Sequence, residues 1–263
     1  MAGPPERAGA GVLDLLAQAG AMGLTFWRIV KVLLPPRFDR NQMILNLYRI
    51  GVLSVPIVAV TAAFAGAIMV VQTMAYVRAT GADGLVPITA VVAVFSELGP
   101  VLIGLMFSGR VGANTTADLG TMVITEQMDA LRALAIDPVR YFVAPRFVAT
   151  VLMLVLLTAL GDAFALIGSA ATAELLLDID RIEFWRILFE GELTDEFVVG
   201  LVKGGTFGGI ISVVSCAYGL GVGPGAREVG RAVNRSVVAT ALLIFMSDYL
   251  ITWAWYRFFG GWQ

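Results

Sequence analysis

Five stretches of this chain are each long and apolar enough to cross a bilayer: residues 50–77, 86–107, 147–173, 197–220 and 237–259. A spanning helix needs about 20 mostly apolar residues. Inside the hydrocarbon every backbone N–H and C=O must be satisfied within the segment itself, which leaves the helix as the structure such a stretch can adopt. The expectation is therefore an all-α integral membrane protein with five transmembrane helices. Composition agrees, with 58% hydrophobic residues and only 14% charged, a balance foreign to ordinary soluble domains.

The same inventory excludes several kinds of function. There is no histidine, and the one cysteine, Cys216, lies in an apolar run. Disulfide frameworks, zinc sites and histidine-based catalysis are not expected. No GxxxxGK[ST] loop is present, so the chain has no P-loop for ATP. A net charge of −2 carries no nucleic-acid footprint. The opening "MAGPPERAGAG" lacks the pattern of a cleaved signal peptide, and none is expected.

A sixth apolar stretch, residues 12–34, carries Asp14, Gln18, Arg28 and Lys31 and stops at Pro35 and Pro36. It reads as an amphipathic helix lying in the interface, with a sixth span as the alternative. The division is thus an N-terminal cytoplasmic or interfacial segment over residues 1–40 and a membrane domain over 41–263. Lys and Arg set the orientation. They gather before the first span, between spans two and three (Arg110, Arg132, Arg140, Arg146) and between spans four and five (Arg227, Arg231, Arg235). Residues 174–196 hold eight acids and two arginines. The N-terminus is expected in the cytoplasm and the C-terminus outside, in the periplasm.

One piece looks soluble: "TEQMDALRALAIDP", residues 125–138. Thr125 is placed to cap a helix, and Glu126 suits the positive end of its dipole. Met128, Leu131, Leu134 and Ala135 form one stripe; Glu126, Asp129 and Arg132 form another. Asp137 and Pro138 end the pattern. Such a helix either packs on its own bundle or inserts into a groove on a partner.

The run "ELGPVLIGLMFSGRVGANTTADLGTMVITEQMDALRALAIDPVRYFVAPRFVA", residues 97–149, resembles the MlaE/YrbE family. These are the permease subunits of lipid-transporting ABC systems that work with MCE proteins. "LYRIGVLSVPIVAVTAAFAGAIMVVQ" (47–72), "GLVKGGTFG" (200–208) and "VGRAVNRSVVAT" (229–240) extend the likeness to nearly the whole chain after residue 40. The resemblance implies that residues 126–136 are a coupling helix, presenting Glu126, Met128, Asp129, Leu131 and Arg132 to a separate cytoplasmic ATPase. It also implies an inner-membrane homodimer, an MCE-domain partner, and a phospholipid substrate held between two copies near the outer face. ATP and Mg would belong to the ATPase, and this chain would hold no cofactor and catalyse no covalent step.

Four ionisable residues fall inside spans: Glu97, Asp162, Lys203 and Asp248. Charges at mid-bilayer cost about 2.5 to 3.5 kcal/mol each on insertion scales, so they should face protein or water. Lys203 is expected to pair with Asp248 first and Glu97 second, as a structural ion pair or as a proton or headgroup site. Gly200, Gly204 and Gly208 have GxxxG spacing for close helix approach. Met69, Val70, Gln72 and Tyr76, in the outer half of span one, are candidates for a lipid pocket, though Tyr76 also fits an aromatic belt. Two rival functions stay open: a proton- or ion-coupled secondary carrier built on the buried acids, and a non-transporting membrane scaffold.

Overall fold

The structure is a computed structural model, and it describes residues 4–33, 40–80, 86–177, 180–190 and 193–259. In chain order its helices are α1 (Pro4–Leu33), α2 (Arg40–Ile50), α3 (Val55–Thr80), α4 (Val86–Ala93), α5 (Gly99–Phe107), α6 (Ala113–Ile124), α7 (Gln127–Ala133), α8 (Ala144–Leu177), α9 (Arg181–Glu190), α10 (Thr194–Leu220) and α11 (Ala226–Phe259). Among the described residues, five helical runs are long and apolar enough to cross a membrane: Asn41–Met74, Pro87–Ile124, Val139–Leu176, Thr194–Leu220 and Ala226–Phe258. α1 stands outside these five as an extra N-terminal helix.

The runs are longer than hydropathy alone drew them. The first begins in α2 and passes through a 3-10 turn at Val52–Ser54 into α3. The second continues past Phe107 through α6, so Arg110 lies within a helix and not in a loop. The acidic connection between spans three and four contains α9, whose Phe184 and Leu188 are buried while Ile182 and Phe189 are exposed.

Among the described residues, three wide π turns interrupt the helices, at Val94–Leu98, Ser108–Gly112 and Val139–Val143. Two of them have one sequence cause. Proline has no N–H and its ring crowds the carbonyl four residues earlier. For Pro100 that carbonyl is Ser96, and for Pro145 it is Tyr141, each at the centre of its widened turn. The helix relieves the clash by loosening to i→i+5 bonding, as Gly99 N–H to Val94 O records.

Packing depends on glycine where helices come closest. A Cβ on Gly168 of α8 would fall on the carbonyl of Ala63 in α3, and one on Gly66 would fall on the carbonyl of Ala165. On α10, a Cβ at Gly208 would lie 2.9 Å from Val151 Cα of α8, and one at Gly200 would fall on the Phe95 carbonyl. α8 therefore sits between α3 and α10 at backbone contact, as small-residue seams allow in lipid. The outer faces of α3 and α11 expose Phe64, Ile68, Leu242 and Phe245, the apolar surface a bilayer or a second copy would cover. The turn holding α7 and the turn between α10 and α11 lie at one end of the bundle, and α9 lies at the other.

Candidate functional site

The π turn before Pro100 leaves the Ser96 carbonyl without its helical donor. Lys203 supplies one: its Nζ donates to Ser96 O at 2.6 Å. The side chain is fully buried, and it is α10's close approach at Gly200, one turn away, that brings the ammonium to the turn. Lys203 Nζ also lies 2.8 Å from Asp248 Oδ1 and 2.9 Å from Glu97 Oε2. Glu97 accepts a further bond from Thr252 Oγ1 at 2.9 Å. One cation thus ties the second, fourth and fifth spans together through two carboxylates and a carbonyl. Asp248 is nearly buried, whereas the Glu97 side chain is 41% exposed.

Asp162 stands apart from this cluster. It is buried on α8, and neither carboxylate oxygen has a hydrogen-bond partner among the described residues. Its Oδ1 faces Gly99, where a Cβ would come within 2.7 Å. Of the four intramembrane ionisable residues, the structure gathers three and leaves Asp162 facing Gly99, at the end of the same π turn.

At the α7 end, the soluble-looking segment folds as expected in type but not in detail. Thr125 does not cap α7; its hydroxyl donates back to Thr121 O at 2.8 Å and closes α6. Glu126 makes the turn with left-handed backbone, φ 60°. α7 is then Gln127–Ala133, shorter than the 126–136 expected. It ends in a Schellman pattern: Ile136 N–H bonds Leu131 O and Ala135 N–H bonds Arg132 O, with Ala135 at φ 58° where glycine is usual. Asp137 does more than stop the helix, since its carboxylate accepts the Val139 N–H at 3.0 Å and starts the next one. Met128 is buried with Leu119, Val143 and Cys216, which pins α7 to the bundle. Leu131 is half-buried, and Leu134 is exposed beside a surface Arg132–Asp129 pair at 2.8 Å.

The four residues proposed for the outer half of α3 divide. Val70 is fully buried among Ala90, Ala170 and Ala173, and Met69 is partly buried against the same cluster. Gln72 is exposed. The Tyr76 side chain lies outside the described residues. A wall here would be built from Met69 and Gln72, with Val70 behind them.

Sequence reasoning missed Ser96 and Pro100 as parts of the charge cluster. The signal was available: a proline four residues after a serine, inside a span that also holds a glutamate. No group of three or more potential metal ligands occurs among the described residues.

The Permease MlaE family model matches residues 43–254 of the chain. A probable ABC transporter permease protein of Rickettsia felis is 37% identical over 89% of this chain and 90% of its own length. A probable ABC transporter permease protein of Synechocystis is 32% identical, with 86% of each chain covered. The chloroplastic protein trigalactosyldiacylglycerol 1 of Arabidopsis thaliana is 28% identical over 86% of this chain and 64% of its own. Five apolar spans, a short helix bracketed by two of them and these likenesses lead to one assignment: the chain belongs to the MlaE permease family and is a non-catalytic membrane subunit of an ABC-type transporter.

Proposed function

We propose that this permease moves phospholipid, or a similar large amphiphile, between membranes. It works as a homodimer in the inner membrane. Two copies of a separate ATPase dock at the α7 end, and an MCE-domain protein receives or delivers lipid at the α9 end. ATP and Mg are bound by the ATPase. The arginines of the α7 end support a cytoplasmic placement for it, with the N-terminus inside and the C-terminus in the periplasm.

The observation that carries the reading is the construction of α7. Met128 is 3% exposed and holds the helix to the bundle, while Leu134 is 71% exposed beside it. Non-glycine residues in left-handed backbone bracket the helix at Glu126 and Ala135. Such strain persists where the surroundings enforce a shape, and it gathers at switch regions. A push on Leu134 is transmitted through Met128 to the continuous helices on either side. The resemblance assigns that push to an ATPase groove taking up the coupling helix. The name of the Arabidopsis relative is that of a glycolipid, which favours an amphiphile as cargo.

The test exchanges the two charges of the surface pair, Asp129→Arg with Arg132→Asp. The exchange preserves an internal pair but inverts the pattern offered to a partner. The ATPase should no longer co-purify, while the permease still inserts and unfolds at the same temperature. Full assembly and ATP-driven lipid movement by the exchanged protein would remove α7 as the dock. Lipid movement without ATP would favour an ion-coupled carrier instead.

A further inference from the structure

We propose that a cavity at the α7 end, enclosed by α2, α6 and α8, binds a phosphate-bearing anion, and that in the membrane this anion is the headgroup of an anionic phospholipid. The cavity has a volume of about 350 Å³. Three arginines from separate elements line it: Arg49 at the last turn of α2, Arg110 in the π turn before α6, and Arg146 at the start of α8. Asn46 and Asn114 add amide groups, and Asp118 is the one acid of the lining.

The charges do not balance among themselves. Arg146 Nη2 reaches Asp118 Oδ2 only at 3.5 Å, and Arg146 Nη1 is buried without a hydrogen-bond partner among the described residues. Arg110 bonds a neutral group, Ser54 Oγ, at 3.2 Å. No ion pair engages Arg49 among the described residues. Three guanidiniums around one carboxylate leave a surplus of positive charge over a space far larger than one water. Guanidinium forks match phosphate oxygens in pairs, which makes phosphate the anion this geometry favours.

The setting selects a lipid source over a dissolved one. Leu53 also lines the cavity and is half exposed, and the exposed side chains of Val52 and Ile57 continue from it along the first span. A headgroup among the arginines would therefore leave acyl chains along an apolar path down α3. Arg49, Arg110 and Arg146 lie within the first, second and third helical runs, toward their α7 ends, and basic residues near the end of a span attract anionic lipid. The site lies at the opposite end from the proposed lipid pocket and does not depend on that pocket or on transport.

The experiment uses the full chain in mild detergent, relipidated with phosphatidylglycerol or phosphatidylcholine, and reads retained lipid by native mass spectrometry. The variant R49Q/R110Q leaves the more buried Arg146 in place, and R49K/R110K keeps charge without the fork. The wild-type protein should retain phosphatidylglycerol over phosphatidylcholine. The glutamine variant should lose roughly tenfold per charge-assisted contact removed, and the lysine variant should fall between. A parallel titration with inorganic phosphate, followed by phosphorus NMR, separates the sources. Phosphate binding that the glutamine variant abolishes, without preference between lipids, keeps the anion site and overturns the lipid. Equal retention of both lipids and no phosphate binding by cooperatively folded wild-type protein overturns the site. So does loss of a co-purifying ATPase from R49Q/R110Q with lipid retention unchanged, because the arginines would then face a protein.

Discussion

Lys203 meets Asp248 at 2.8 Å in the interior of the bundle, and no part of the lysine side chain is exposed. Breaking a buried pair by removing one member strands the other, at about 3 to 5 kcal/mol in soluble proteins. Lys203→Met should therefore lower the thermal stability of the purified protein sharply. Adding Asp248→Asn should recover part of the loss, and more of it than Glu97→Gln does. The reason is enclosure: Asp248 is 15% exposed and Glu97 is 41% exposed, so Asp248 is the more tightly held by protein when its cation is lost. A double variant less stable than both singles would refute the pairing.

The contact from Lys203 to Ser96 O exists because Pro100 cannot donate to that carbonyl. Pro100→Ala returns an N–H to the helix and gives Ser96 its ordinary partner. Lys203→Met should then be less damaging in the Pro100→Ala background than in the wild type. Thermal unfolding of the four proteins forms a double-mutant cycle, with a coupling of about 0.5 to 3 kcal/mol expected for groups in one network. Strict additivity would mean that the carbonyl contact contributes nothing.

The five spans were readable because apolar length is a property of the sequence alone. The partners of Lys203 were readable because few groups in a bilayer can answer a charge. The π turns were harder. They depend on which carbonyl a proline strands, and apolar runs containing Pro100 and Pro145 look uniform to hydropathy. α9 was hidden because eight acids over residues 174–196 masked the alternation of Phe184 and Leu188 with Ile182 and Phe189. The role of Thr125 was misjudged because a threonine before a helix and one after a helix look alike when the two helices nearly touch. The arginine cavity joins residues from three elements, and no spacing along the chain records that meeting.

GxxxG spacing drew attention to α10, yet the α3–α8 seam depends on glycine as strongly. Gly168→Ala would drive a methyl into the Ala63 backbone, which cannot retreat as a side chain tip would. A loss of about 1 to 3 kcal/mol is expected, the range for overpacking. Gly230→Ala in α11 is the contrasting case, because nothing lies within 4 Å of the added methyl. There the helical preference of alanine should raise stability by about 0.5 to 1 kcal/mol. Melting temperatures that move the same way for both would show that the seam is looser than its geometry.

Ala135 holds a left-handed conformation at φ 58°, which costs a residue with a Cβ roughly 1 to 2 kcal/mol. Ala135→Gly should therefore stabilise the permease by up to about 1 kcal/mol, since glycine takes this backbone freely but loses more entropy on folding. If strain at this helix end serves coupling, the same variant should lower lipid movement per ATP hydrolysed while ATP hydrolysis continues. Unchanged coupling with raised stability would mark the strain as incidental.

A phospholipid site must offer a broad apolar wall with few polar groups. Near the α9 end of α3, Gln72 is exposed and Met69 is partly buried one turn before it. Glycine-rich α10 offers no such wall, because Gly204 and Gly208 are closed against Thr158 and Val151 of α8. Photo-reactive residues at Met69 and Gln72 should capture lipid that survives detergent extraction and gel filtration. The same probe at Leu156, an exposed side chain of α8, is the comparison and should lose its lipid once detergent replaces the bilayer. The comparison separates a held lipid from a passing one. Retained labelling at Leu156 with none at Met69 or Gln72 would move the route away from the first span.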